Sequence, residues 1–334
     1  MIKNKFLLIS FIMVLIIGCS ANVLAVEKLE LVAAHNQTSK ESPYQVGMLK
    51  FKEACEDLSD GAITVQVHAG TLGTSESELV EKLKLGAADV VIVSPGFMSK
   101  TGIKQIQLFA FPYLFNDYNH WGKVVDGVVG SKIANIVNEK SHNDFKVLGY
   151  WSAGVRHYYG KKPLHNMADL EGMKIRTQTS GVVADFWSSI GAVPTSVAWG
   201  ELYQALQQGV VDGAENAYPF FVQESHHKTR NGKFTTETGH DYTTRFMLIN
   251  GSKFDSLSAE QQEIIEKAAK ISIDAEREEV RNQETQYKQV LLDEGGKVNE
   301  IDRQPFIEAA MPIQDKAAAQ YGVEDLLQMI RDLR

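Results

Sequence analysis

Two arginines and one asparagine are the residues of this sequence best suited to bind a ligand. Arg176 lies in Lys174–Thr177, where polar and apolar residues alternate. This pattern predicts a strand with Ile175 toward a core and Arg176 on the opposite face. A guanidinium in that place is well positioned to hold a carboxylate through two parallel hydrogen bonds. A surface ion pair is the alternative for Arg176 considered alone.

Arg156 and Asn216 extend this candidate site. Arg156 follows a strand-like segment at 146–151, and Asn216 ends the strand and loop predicted at 210–216, so both are predicted in loops at strand ends. Two arginines facing a crevice need an anionic partner once water is removed, which favours an anionic ligand. Asn216 offers both a donor and an acceptor, which suits a carboxylate and a hydroxyl. Apolar walls are expected from Trp199, Tyr218 and Phe221, with core packing as the alternative for each.

Sequence motifs of common enzyme chemistries are missing. The chain has no Gly-x-Ser-x-Gly, His-Glu-x-x-His, P-loop or Gly-x-Gly-x-x-Gly pattern. His226 and His227 form the only adjacent histidine pair, with no further ligand at a spacing typical of zinc. We therefore predict no metal, no cofactor and no catalytic residue. A pair of carboxylates in a cleft keeps an enzyme open as the alternative.

The elements that position these residues alternate between strand and helix. Strands are predicted at 29–33, 63–68 and 88–93, with helices at Pro43–Leu58 and 76–85 between them. A β-α-β-α-β order predicts a mainly parallel sheet covered by helices. A short internal similarity relates 79–89 to 202–212, because each has a helix, a stopping glycine and an Asp before a strand. We expect two α/β lobes that share a crevice.

The last third of the chain predicts one long helix. Ser258 and Gln261 form a capping-box pattern, and apolar residues follow at helical spacing until Gly295. An unbroken helix would be roughly 50 Å long and would exceed one lobe. Its charged residues from Glu276 to Arg281 are expected to face solvent.

Residues 1–25 have the layout of an export signal. Two lysines precede an apolar run, and Ala25 ends a cleavage candidate. Cys19 lies in a lipoprotein-like box and provides an alternative route of processing. The remaining cysteine, Cys55, is predicted as a buried core thiol. The net charge of −8 without a long basic run argues against nucleic-acid binding.

Several motifs together resemble the DctP-type substrate-binding proteins of TRAP transporters. The resemblance runs over essentially the whole mature chain and is most specific between Gly172 and Asn216. The motifs are residues 154–156 (GVR), 170–176 (LEGMKIR), 191–195 (GAVPT), 200–213 (GELYQALQQGVVDG) and 214–216 (AEN).

The resemblance implies a two-lobed α/β fold, like periplasmic binding proteins of type II, with a long helix that spans both lobes. It also implies that the lobes close on an organic acid. The first lobe would comprise 26–152 and about 243–281. The second would comprise 153–242 and about 282–334, with the C-terminal helices.

Residue roles follow from the same resemblance. Arg176 would make the bidentate salt bridge to a carboxylate, assisted by Arg156 and Asn216, with Trp199 against the ligand. First-lobe contacts would come from His35, Glu76, Ser94 and Phe97. The loop before the second helix is shifted by one residue relative to the family, so Glu76 and Glu78 compete for one role, and Ala217 replaces a usual Asn or Pro.

The expected function is a periplasmic, monomeric receptor that hands a sugar acid, such as a uronate or aldonate, to the membrane subunits of a TRAP permease. A C4-dicarboxylate or a sialic-acid-like ligand is an alternative. An exported enzyme acting on an acidic sugar and a sensor subunit are two further alternatives.

Overall fold

The computed structural model describes residues 26–73, 75–98, 101–177 and 181–334. The predictions for the export signal and for Cys19 lie outside these residues.

The described strands form one sheet with a parallel region at each end. Its order is β2-β1-β3-β8-β4-β7-β5-β6, and β9 pairs with β8. Pairs at the two ends are parallel, whereas β8 is antiparallel to β3 and β4, and β4 is antiparallel to β7. The predicted β-α-β-α-β order of the first ninety residues is confirmed. The strands are β1 Leu29–His35, β2 Ile63–Ala69, β3 Val90–Val93, β4 Phe145–Gly160, β5 Lys174–Thr177, β6 Val193–Ser196, β7 Gly213–Asn216, β8 Phe234–Asn250 and β9 Lys297–Asn299.

Helices cover the sheet, and local capping sets several of their ends. Ser42 accepts from the Tyr44 N–H at the start of α1, and Ser75 and Glu78 form a capping box on α2. Gly209 ends α7 in the left-handed conformation, with φ of 77°. The helices are α1 Pro43–Leu58, α2 Glu76–Lys84, α3 Pro95–Met98, α4 Tyr118–Val125, α5 Val128–Lys140, α6 Gly181–Ser189, α7 Leu202–Gln208, α8 Tyr218–Gln223, α9 Gly251–Asp255, α10 Ala259–Asp293, α11 Gln304–Tyr321 and α12 Glu324–Asp332.

Strands β4 and β8 cross from one lobe to the other. The first half of β4 pairs with the end of β8, which also pairs with β3 in the first lobe. The second half of β4 pairs with the start of β8 and with β7 in the second lobe. The placement of Arg156 in a loop was wrong, because β4 continues to Gly160. Its register shifts between Ser152 and Val155, so a β-bulge replaces the expected strand end.

Helix α10 packs on both lobes, as predicted. Ser258 and Gln261 form the expected capping box at its start. Ile265 packs with Phe51 in one core cluster, and Leu291 packs with Leu202 in another. The helices after it contribute to both lobes, and the exact lobe limits stay a prediction.

The expectation of a solvent-facing charged stretch on α10 was wrong for Glu276. This side chain is 0% exposed. Helix α10 approaches α1 so closely there that a Cβ built on Gly47 would lie 2.7 Å from the Glu276 Cβ. A short-range helix contact therefore encloses a residue that helical periodicity alone places with its charged neighbours.

Two further expectations concern the core and the membrane. Cys55 is a buried free thiol, as predicted, and burial raises its pKa to about 12. None of the helices in the described ranges combines the length and apolar character that a membrane crossing requires.

Candidate ligand-binding site

A cavity of about 510 Å³ lies between the lobes. Its size suits a small organic molecule. Both lobes and the crossing strand β8 contribute side chains, so a molecule bound there would contact both. The lining residues are Asn36, Gln37, Tyr44, Ser75, Glu76, Ser77, Phe97, Arg176, Thr177, Ser196, Val197, Ala198, Trp199, Gly200, Glu201, Asn216, Phe220 and Arg245.

Arg176 is a buried cation without an anionic partner in the described part of the chain. Its side chain reaches the cavity although the residue is only 4% exposed. Its Nε donates to the Val197 carbonyl oxygen at 3.0 Å, while Nη1 has no hydrogen-bond partner. Burial lowers the pKa of the guanidinium, although an arginine this basic stays charged. Such a charge favours an anion brought by a ligand.

Trp199 lies beside Arg176 and supplies an apolar surface. It begins the 3-10 helix Trp199–Glu201 and is half-buried in the cavity wall. The centre of its ring lies 5.8 Å from the guanidinium carbon of Arg176. An aromatic face next to a cation suits the apolar face of a ring that also carries a carboxylate.

Arg156 is already paired within the protein. It donates to the Glu215 carboxylate and, through Nη1, to Asn216 Oδ1 at 2.9 Å. His240 Nε2 lies 3.3 Å from the same carboxylate. Burial alone would raise the pKa of Glu215, but Arg156 and His240 hold it at about 2. Arg156 does not line the large cavity; it lines a pocket of about 20 Å³ behind it, together with Glu215 and His240.

Asn216 lines the cavity, as does Arg176. Its Oδ1 accepts from Arg156 Nη1 and from the Ala217 N–H, each at 2.9 Å. This oxygen was predicted to accept from a ligand hydroxyl, but it accepts hydrogen bonds from within the protein instead. The remaining N–H donors, next to Arg176, suit a carboxylate oxygen.

The first-lobe wall is built on Glu76. Its Oε2 accepts from the Ser94 N–H and hydroxyl, each at 2.6 Å. Glu76 and Phe97 line the cavity, whereas Ser94 lies behind Glu76 and fixes its orientation. Glu78 caps α2 through the Ser75 N–H, so Glu76 is the one of the two that reaches the cavity.

His35 and Tyr218 are not part of the cavity lining. His35 Nε2 lies 2.9 Å from Gln45 Oε1, and burial lowers the pKa of its imidazole to about 4. The Tyr218 hydroxyl donates to Glu237 at 2.9 Å, and its ring packs against Phe221. Both residues support the walls from behind, and for Tyr218 and Phe221 this matches the core packing named as the alternative.

Arg245 lines the cavity and was missed in the sequence. It lies in β8 among buried apolar residues, and its Nε donates to the Tyr44 hydroxyl and lies 4.0 Å from Glu76 Oε1. An arginine in a strand-like segment indicated a ligand contact at Arg176, and Arg245 also lies in a strand-like segment. No group of three or more His, Cys, Asp or Glu side chains suited to a metal occurs in the described ranges.

The family follows from a comparison with known proteins. Residues 33–320 match the family described as bacterial extracellular solute-binding protein, family 7, also named DctP. The chain belongs to this family. The predicted membership is thereby confirmed, and a solute-binding family agrees with the missing catalytic motifs and with export from the cytoplasm.

Relatives of this family-7 protein share its fold over nearly the whole chain. A TRAP periplasmic solute-binding protein from Sulfitobacter sp. NAS-14.1 with bound β-D-galacturonate has a TM-score of 0.85 and 29% identity, over 91% of this chain and 99% of that one. One from Pseudomonas putida F1 with bound D-glucuronate has a TM-score of 0.84 and 29% identity, over 90% and 96%. The C4-dicarboxylate-binding periplasmic protein DctP of Rhodobacter capsulatus is 28% identical over 86% of each chain. The two-lobed fold is therefore confirmed.

Proposed function

We propose that this protein captures a sugar acid with one carboxylate, a uronate or an aldonate, and delivers it to the membrane subunits of a TRAP-type permease. The observation that carries the proposal is Arg176, a buried guanidinium that faces the cavity without a carboxylate partner among the described residues. A ligand carboxylate supplies that partner, and the Asn216 amide nitrogen adds a second donor beside it.

The charges of the cavity favour one carboxylate over two. Arg176 and Arg245 are its cations, and Glu76 and Glu201 are its anions. Arg245 has Glu76 at 4.0 Å, while Glu201 is exposed to solvent. A second ligand carboxylate on the first-lobe wall would meet Glu76, and like charges at short range are unfavourable.

The rest of the lining favours hydroxyl groups on the ligand. Asn36, Gln37 and Ser75 bring donors and acceptors to the first-lobe wall, and Glu76 has one oxygen that Ser94 does not use. Trp199 provides the apolar surface on the opposite side. The relatives with galacturonate and glucuronate support this ligand class.

Capture rests on contacts with both lobes. Because the cavity is lined from two sides, a ligand stabilises the arrangement in which both walls reach it, and unliganded molecules populate other arrangements. Release to a permease then requires the lobes to separate.

Isothermal titration calorimetry with matched ligands tests the proposal. D-glucuronate and D-glucose differ at one carbon, where a carboxylate replaces a CH₂OH group. We expect D-glucuronate or D-galacturonate to bind, D-glucose to bind at least about a hundred-fold more weakly, and succinate and N-acetylneuraminate to bind more weakly than the uronates. Mass spectrometry should recover the uronate unaltered. Equal binding of glucose, tightest binding of succinate, or conversion of the uronate would each overturn the proposal.

A further inference from the structure

The bend of β4 lies at the boundary between the lobes. Ser152 is the last residue that pairs with the first-lobe half of β8, and Val155 is the first that pairs with the other half. Gly154 between them has φ of 75°, and a Cβ there would lie 2.6 Å from the Ala217 Cβ. A change in the angle between the lobes should therefore bend the backbone of this short segment and of the neighbouring part of β8.

Two glutamates of α10 accept the backbone N–H groups at this bend. Glu276 Oε2 accepts from the Ser152 N–H at 3.0 Å, and Glu284 Oε1 accepts from the Val155 N–H at 2.5 Å. These two amides flank the bulge on its two sides. No ion pair of either glutamate occurs in the described ranges, and Glu276 Oε1 is buried without a hydrogen-bond partner. Burying a carboxyl group without an ion pair is costly.

Glu284 also connects the two lobes. Its second oxygen accepts from the Tyr118 hydroxyl at 2.8 Å. Tyr118 is on α4, whose neighbouring side chain Trp121 packs in the first-lobe core with Val91. Val155 belongs to the half of β4 that enters the second lobe. One carboxyl group therefore holds a first-lobe hydroxyl and a second-lobe amide together in the arrangement where both lobes line the cavity.

We propose that Glu276 and Glu284 are positioning residues for the lobes: they hold the bend of β4 in the ligand-binding arrangement and so set ligand affinity without touching the ligand. This proposal rests on the proposed function for its affinity readout. Neither glutamate lines the large cavity.

The surroundings of the two carboxyl groups fix the sign of the expected pH dependence. Arg281 of α10, Tyr118 of α4, Tyr242 of β8 and Tyr218 of α8 face Glu284. Its burial outweighs the hydrogen bonds from Val155 and Tyr118 and the charge of Arg281, and raises its pKa to about 6. The groups that face Glu276 are Arg277 and Arg281 of α10, Arg245 of β8, Tyr44 of α1 and Tyr118 of α4.

Rotation about the bend separates Tyr118 from Val155 and admits water, which returns the pKa of Glu284 toward its ordinary 4.5. The ligand-binding arrangement therefore retains the proton more firmly. By linkage, affinity should fall as pH rises from about 5 to about 7.5, a range in which a uronate stays ionised.

The test measures the Kd of D-glucuronate at several pH values for the wild-type protein and three variants. Glu284→Gln keeps an acceptor for the Val155 N–H but cannot ionise, so its Kd should match wild type near pH 5 and rise less steeply with pH than that of wild type. Glu284→Met removes the acceptor and should bind about ten-fold more weakly than Glu284→Gln at every pH, the factor for a hydrogen bond of about 1.4 kcal/mol. Glu278→Gln, on an exposed position of the same helix, should behave as wild type.

The same pH dependence in wild type and Glu284→Gln, or equal affinity of Glu284→Met and Glu284→Gln, would overturn the proposal. Hydrogen exchange of the unliganded protein separates its failure from that of the proposed function. If D-glucuronate does not bind, faster exchange of the Val155 amide in Glu284→Met than in wild type still supports the positioning role, and unchanged exchange refutes it.

Discussion

Arg156 and Arg176 are both buried, but among the described residues only Arg156 has a carboxylate partner. We therefore expect Arg156 to contribute mainly to stability and Arg176 mainly to ligand affinity. Arg176→Gln removes a charge that no described carboxylate balances, so ligand affinity should fall at least about a hundred-fold while thermal stability is kept or raised. Arg156→Gln leaves the Glu215 carboxylate buried without its cation, and the free energy of unfolding should fall by about 3–5 kcal/mol. Calorimetry measures the ligand affinity of both variants, and chemical unfolding measures their free energy of unfolding. Equal loss of stability in the two would contradict the distinction.

The role of a single residue was predictable where an alternating strand pattern set the direction of its side chain. It was less predictable where hydrogen-bond partners far away in the chain decide that role. The alternation around Arg176 placed its side chain on the face opposite Ile175, and the family resemblance pointed to its ligand. The same residue types at Arg156 suggested a ligand contact, but its hydrogen bonds go to Glu215 and Asn216, which are sixty residues away in the chain. The contacts of Arg245 with Tyr44 and Glu76 join residues still more distant in sequence. Contacts of this kind are set by strand order, which local patterns do not encode.

Elements were predicted well where capping residues and apolar spacing agree, as for α1, α2 and α10. Strand β4 was cut short because Ser152, Ala153 and Gly154 have the composition of a loop. The strand continues there because a bulge absorbs the extra residue and glutamates of α10 accept the amides that the ladder leaves unpaired. The burial of Glu276 could not be predicted for the same reason, since it depends on how α10 approaches α1 and β4.

Glu276 makes the stability of α10 and its surroundings dependent on pH. Burial raises its pKa from 4.5 to about 8, so between these values the folded state binds more protons than the unfolded state. The free energy of unfolding should therefore decrease as pH rises through this window. Glu276→Gln stays neutral and keeps an acceptor for the Ser152 N–H. It should be more stable than wild type by about 1–3 kcal/mol above pH 8 and nearly equal at about pH 5, as measured by urea unfolding. A stability difference that does not vary with pH would contradict this expectation.

At the scale of the whole molecule, the two lobes share one sheet, and β4, β8 and α10 each pass from one lobe to the other in the described part of the chain. Most of one apolar cluster lies in the first lobe, and another lies in the second. Ligand contacts on both walls should therefore act mainly on the angle between two packed bodies. Movement of the lobes should then leave distances inside each lobe unchanged.

Spin labels on exposed side chains test this movement directly. Leu85 at the end of α2 is 81% exposed and Val210 after α7 is 50% exposed, one in each lobe, while Leu49 on α1 is 46% exposed in the first lobe. In a Cys19→Ser background, the pair Leu85→Cys and Val210→Cys reports between the lobes, and the pair Leu49→Cys and Leu85→Cys reports within one. Cys55 should escape labelling, because burial raises its pKa to about 12 and the thiolate is the reactive form. Pulsed electron paramagnetic resonance should show a distance distribution that shifts on addition of D-glucuronate for the first pair and stays constant for the second. A shift in both pairs, or in neither at saturating ligand, would show that capture does not work by rotation of the two lobes about β4 and β8.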